Sequence, residues 1–129
     1  MTHTSIAYNI RDQEPVSYQP GGNLLLSINK AAHRVKQIDK DPTGLGRWTS
    51  TVFRGKQNIV LRVILVYRAY KSRGPNSAYM QQQQYFDTIN RDICPQEAVL
   101  DDLGAMIKTC HERQEQVVLM MDCNENTQS

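Results

Sequence analysis

Apolar residues fall in blocks along the chain, separated by polar punctuation. The longest block, "IVLRVILVYRAY" (59–70), is interrupted early by Arg62 and reads as a mostly buried central strand. Upstream, "GGNLLLSIN" (21–29) opens on a glycine pair and then turns apolar. "RWTSTVF" (47–53) is rich in β-branched and aromatic residues, and both stretches read as strands. "RGKQN" then suits a connection of hairpin type. The three strands together predict an antiparallel meander.

The second half changes period. In "NSAYMQQQQYFDTIN", Tyr79, Met80, Gln83 and Phe86 follow a loose helical spacing. From Pro95, which suits a first helical turn, Val99, Leu100, Leu103, Met106, Ile107 and Cys110 recur at three- and four-residue steps. Glu97, Asp101 and Asp102 lie early in that helix and Lys108, His111 and Arg113 late, an order that complements the helix dipole. "QVVLMM" follows as a short apolar strand. Strand, helical crossover and strand make a βαβ-type unit, so 59–67 and 116–121 are expected to be parallel neighbours joined by helix 95–113. The predicted class is α/β or α+β: a mixed β-sheet with helices on at least one face. Such a sheet leaves its other apolar face in need of cover. "LLLSI" and "VILV" are then expected to drive association unless something covers them.

Composition narrows the setting. With 129 residues, 40% hydrophobic and 22% charged, the chain suits one soluble domain with a modest core. A net charge of +2 is too mild to call for nucleic acid by itself. Arg62, Arg68, Lys71 and Arg73 cluster, which reads as a solvated strand end and loop. Cys94, Cys110 and Cys123 are odd in number and match no zinc spacing, so they are expected to be reduced thiols of an intracellular protein. The beginning, "MTHTSIAYNIRDQEP", shows no basic region followed by an apolar one, so no signal peptide is expected. The longest apolar run is too short to span a bilayer, so no membrane partner is expected.

Candidate chemistry sits where the parallel strands end. The carboxyl ends of adjacent parallel strands share one sheet edge, where ligands bind in open α/β sheets. Tyr67 ends the first strand, and Asp122 and Asn124 end the second. Residues two apart on an extended chain face the same way. A carboxylate there can hold a divalent cation or orient a water, and an amide or phenol can donate to a phosphate oxygen. Taken alone, D-x-N is also what a strand running into a turn looks like. Cys123, between them, points to the opposite side and receives no role. His33 and His111 have no partner spacing. Arg47 and Trp48 could meet a polynucleotide by charge and stacking, but packing of Trp48 in the sheet core is the favoured reading.

The order "GGNLLLSIN … GRWTSTVF … IVLRVILVYRAY … helix … VVLMMDCNEN" resembles the endonuclease/exonuclease/phosphatase superfamily, which includes apurinic endonucleases, pancreatic-type deoxyribonucleases and inositol-polyphosphate phosphatases. The likeness covers about residues 20 to 126 and is similar to stand-alone or mobile-element-associated members with a G-L-G-R-W segment. It implies that Asp122 is the catalytic acid and a metal ligand, Asn124 the contact to the scissile phosphate, and Tyr67 the active-site tyrosine. Met121 replaces the family's usual glycine before the acid, and Ala69 stands where a proline is common. The family also uses an early strand ending in asparagine, a metal-binding glutamate, and a late aspartate and histidine. Glu14 in "RDQEP" is not matched to that glutamate, because too little chain separates it from the glycine-led strand for a strand and crossover. It reads as a loop acid before a proline.

The resemblance implies Mg²⁺-dependent hydrolysis of a phosphate ester in complete relatives. The substrate would be a nucleic acid or a phosphorylated small molecule. For this chain it implies a truncated, weakly active or inactive domain, about half of a four-layer α/β sandwich, in the nucleus or cytoplasm. The competing expectation is a non-catalytic α/β binding or assembly module, completed as a homo-oligomer or by a partner chain.

Overall fold

A computed structural model of the chain describes residues 2–8 and 22–123. Strand β1 (Thr2–Tyr8) pairs antiparallel with β2 (Gly22–Ile28) as a two-stranded sheet. One turn of helix, α1 (Asn29–Ala32), leads into β3 (Val35–Lys40), β4 (Trp48–Arg54) and β5 (Val60–Tyr67). Helices α2 (Ala78–Thr88) and α3 (Pro95–Glu112) then cross to β6 (Gln116–Asp122). The second sheet has the order β3-β4-β5-β6, antiparallel except for the parallel pair β5–β6. The class is α+β with a mixed sheet. Among the described residues no helix is long and apolar enough to cross a membrane.

The βαβ unit forms as its sequence predicts. Ser77 caps α2 by accepting a hydrogen bond from the Met80 amide at 3.2 Å. Pro95 opens α3, where its missing amide hydrogen costs nothing. The stripe on α3 buries Val99, Leu103 and Cys110, with Met106 and Ile107 beside them, while Leu100 faces water. Val99 and Leu103 pack on Ile64 and Val66 of β5, Trp48 of β4, and Val117 and Met121 of β6. Trp48 therefore packs in the sheet core.

The antiparallel meander needs correction in its membership. It is β3-β4-β5, and the glycine-led strand 22–28 is not in it. That strand forms a hairpin with β1 that stacks on the face of β3, β4 and β5 opposite to α3. The hairpin turns its polar side inward. Ser5 is 2% and Ser27 7% exposed, while Leu24, Leu26 and Ile28 are 54%, 55% and 53% exposed. The Ser5 hydroxyl hydrogen-bonds to that of Thr49, which donates onward to the Asp39 carbonyl at 3.2 Å. Hydroxyl contact between the layers explains the inversion: small polar groups that satisfy one another let two backbones approach closely. The sheet face expected to need cover is thus partly covered from within the chain, and "LLLSI" lies outside it.

The segment 41–47, "DPTGLGR", is locked by its own residues. Gly44 and Gly46 have φ of 76° and 71°, a region costly for other residues. Between them Leu45 drops into a second apolar cluster with Phe86 and Ala98. Arg47 then turns inward, 1% exposed, with its Nε 2.7 Å from Asp41 Oδ2 and its Nη2 2.8 Å from Asp102 Oδ2. Its guanidinium also lies 5.6 Å from the centre of the Phe86 ring. Arg47 is a structural tie between this segment and α3, not a side chain free to meet a polynucleotide.

Candidate functional site

The β5–β6 register decides what meets at the sheet edge. Ile64 pairs with Leu119, Val66 with Met121, and Tyr67 with Asp122. Tyr67 and Asp122 thus stand side by side on adjacent parallel strands and on the same face of the sheet, the one opposite to α3. Tyr67 is half-buried and Asp122 exposed. Asn124 lies outside the described residues.

The edge is fastened by backbone and by two long side chains. The Tyr67 amide donates to the Arg47 carbonyl at 2.8 Å, and the Arg68 amide to the Asp122 carbonyl at 3.1 Å. Arg68 Nη1 reaches the Cys123 carbonyl at 3.3 Å, and Gln96 Nε2 donates to the Ala69 carbonyl at 3.0 Å. The start of α3 is thereby stitched to the chain leaving both strands. Ala69, where the resemblance expects proline, is buried at this junction. Met121 packs against the α3-face core, which gives a physical reason for a large side chain in place of glycine.

The basic cluster read from the sequence divides. Arg68, Lys71 and Arg73 follow the β5 end, with Lys71 and Arg73 exposed. Arg62 lies six residues earlier, about 20 Å along the strand, and is buried rather than solvated. Its Nε is 2.7 Å from Glu115 Oε2 and its Nη1 3.1 Å from Asp39 Oδ2. The hydrogen bonds of Glu115 and Asp39 outweigh burial and push the Arg62 guanidinium further toward its charged form. Arg62 in turn holds the Glu115 carboxyl below its ordinary value. Burial, with a hydrogen bond to Glu115, pushes the Cys110 thiol up.

At the edge itself, burial opposes ionisation of Asp41 and Asp102. The hydrogen bonds and charge of Arg47, joined by Thr43 at Asp41 and Arg91 at Asp102, overcome it and hold both carboxyls below the usual range. Both acids are therefore spent on Arg47. Sequence reading missed this tie. Its local half was visible as an acid six residues before Arg47, but Asp102 looked like an ordinary early-helix acid.

Among the described residues the donor set makes no site for a resident metal ion. Among the described residues no group of three or more His, Cys, Asp or Glu side chains converges. Asp122 offers one carboxylate, whereas Mg²⁺ keeps several waters and draws further anionic ligands from protein or substrate. His33 and His111 are exposed and apart from the edge elements. Glu14 lies outside the described residues. A cleft of about 370 Å³ opens on the other face of the sheet, lined by Trp48, Arg62, Met106 and Cys110. It faces away from Tyr67 and Asp122.

No family model, curated protein or solved structure matches this chain.

Proposed function

We propose that this chain is a partial endonuclease/exonuclease/phosphatase-type domain whose β5–β6 edge addresses a phosphate ester. Asp122 is the acid that orients water, Asn124 donates an amide hydrogen to a phosphate oxygen, and Tyr67 donates its phenol as charge develops there. The observation that supports this most is the parallel register pairing Tyr67 with Asp122. Asn124 enters through its two-residue spacing from Asp122. The substrate class is nucleic acid or a phosphorylated small molecule. The setting is intracellular, nuclear or cytoplasmic, in keeping with three free cysteines.

With Asp41 and Asp102 held by Arg47, Asp122 alone is assigned to a cation, and the chain binds Mg²⁺ weakly and hydrolyses phosphodiesters slowly or not at all. A complete relative with the further glutamate and histidine turns over, and Asp122→Asn there abolishes turnover. The test measures cleavage of a plasmid and of a chromogenic phosphodiester, with and without Mg²⁺. Robust activity from these 129 residues, unchanged by Asp122→Asn, overturns the assignment. The second reading is a non-catalytic α/β binding or assembly module. It is in keeping with the described residues, among which no three His, Cys, Asp or Glu side chains converge. Phosphate-ester binding without hydrolysis, in complete relatives as well, would establish it.

A further inference from the structure

Strand β6 ends the four-stranded sheet, and among the described residues no further strand pairs with its outer edge. It is seven residues long and has no proline and no lysine. The hairpin that covers the opposite face stacks on β3, β4 and β5 and leaves β6 beyond it. Val118 and Met120 are consequently 44% and 43% exposed on that face, and Leu119 is 41% exposed on the other. A free strand edge with apolar groups on both faces is a template for another strand.

The sequence of β6 says which strand fits. "QVVLMMD" is symmetric in polarity about Leu119. Laid antiparallel on itself, Val117 meets Met121, Val118 meets Met120, and Leu119 meets Leu119. At each end the Gln116 amide meets the Asp122 carboxylate, which it can donate to. A one-residue slip sets Asp122 against Val117 and breaks this match. A side-by-side parallel pair sets Asp122 against Asp122, and like charges directly opposite destabilise. A twofold axis through Leu119, perpendicular to the sheet, generates the favourable arrangement and closes on itself. We infer that β6 is a homodimer interface: two copies of this chain join β6 to β6 antiparallel in register at Leu119, making one sheet continuous across both.

The register makes the test specific. In a Cys123→Ser background, Leu119→Cys places the two new cysteines on the axis, with Cα atoms about 4.5–5.5 Å apart, inside the range that a disulfide bridges. The native Cys123 thiols of the two copies would lie about 26 Å apart and could not link. Sedimentation velocity of the full chain in the micromolar range should give twice the monomer mass. Leu119→Lys should return it to monomer with its far-ultraviolet circular dichroism unchanged. Oxidised Leu119→Cys should run as a covalent dimer, and its Cys123→Ser parent should not. A monomeric full chain overturns the inference. So does a dimer that Leu119→Lys leaves intact and Leu119→Cys fails to link, which would place association on the Leu24, Leu26 and Ile28 stripe or another surface. The cysteine variant stays informative if the lysine variant loses its fold.

Discussion

The two faces of the central sheet are built by different rules. On the α3 face, Ile64 and Val66 pack against Val99 and Leu103 in an apolar core, with ion pairs at its borders. On the hairpin face, the buried residues are Ser5, Ser27, Thr49 and Thr51, with half-buried Leu25 on the same side of β2, while Leu24, Leu26 and Ile28 point to water. The first face draws its stability from area removed from water. The second depends on small hydroxyls satisfying one another, which is worth less per contact and fails more sharply when one partner is missing. Apolar patterning therefore locates a core only where apolar groups make the contact.

The largest effect should come from the border of the α3 face. Asp41 and Arg47 are both fully enclosed, so Asp41→Ala leaves a buried guanidinium facing Asp102 alone. Breaking a buried pair costs about 3–5 kcal/mol, and urea unfolding of the variant should show a midpoint lowered accordingly. If Asp41→Ala costs no more than an exposed substitution, Arg47 is not the tie between the 41–47 segment and α3.

Next comes the core itself. Ile64→Ala should cost about 2–5 kcal/mol, since Ile64 is wholly buried against α3. Acid should separate the same face from the hairpin. Asp41, Asp102 and Glu115 all titrate below their ordinary values. A depressed folded value means that each contributes stability present above its unfolded value, near 4. That contribution is lost as pH falls through the folded value. Melting temperature should hold from neutrality to about pH 5 and drop below about pH 4. Asp41→Asn should flatten the drop.

Legibility in the sequence follows the same division. α3 and β5 were readable because Val99, Leu103, Ile64 and Val66 keep helical or strand period on the side that is buried. The Tyr67–Asp122 pairing followed from the crossover between them. β3 was missed because its α3-side residues, Gln37 and Asp39, are polar, and Asp39 answers Arg62. Arg62 itself looked like an interruption because its partner Glu115 lies 53 residues away. β1 was missed and β2 misplaced because the inward residues Ser5 and Ser27 carry no apolar pattern. Arg91 and Arg47 sharing Asp102 could not be read from any local spacing.

The hairpin face can be probed at two threonines one turn of the pleat apart. Thr49 sits in a chain of hydroxyl bonds from Ser5 to the Asp39 carbonyl. Thr51, 1% exposed, has a buried hydroxyl with no hydrogen-bond partner. Thr49→Val strands Ser5 and should cost about 1–3 kcal/mol. Thr51→Val removes only an unsatisfied group and should be neutral or stabilising, because replacing a buried unpaired hydroxyl by a methyl ends its desolvation penalty. Opposite signs for two isosteric changes on one strand would show that satisfied hydroxyls hold this layer. Equal losses at both would mean that shape alone does.

The smallest effect should be at the β2 leucines, and its smallness carries the comparison. Leu26 is 55% exposed, pairs with Thr4 across the hairpin, and lies on the side turned away from Thr49. If the leucine side of β2 were the packed side, Leu26→Lys would bury a charge and unfold the hairpin, since an unpaired buried ammonium is among the costliest changes available. With the serine side packed instead, the lysine is solvated and the change should lie within about 0.5 kcal/mol, as for an ordinary surface substitution. Chemical unfolding monitored by the fluorescence of Trp48, the chain's one tryptophan, reads the whole domain, and amide exchange at Ser5 and Ser27 reads the hairpin alone. A loss of several kcal/mol, or collapsed protection at Ser5 and Ser27, would mean that β2 faces the sheet with Leu24 and Leu26 and that both faces obey the same rule after all.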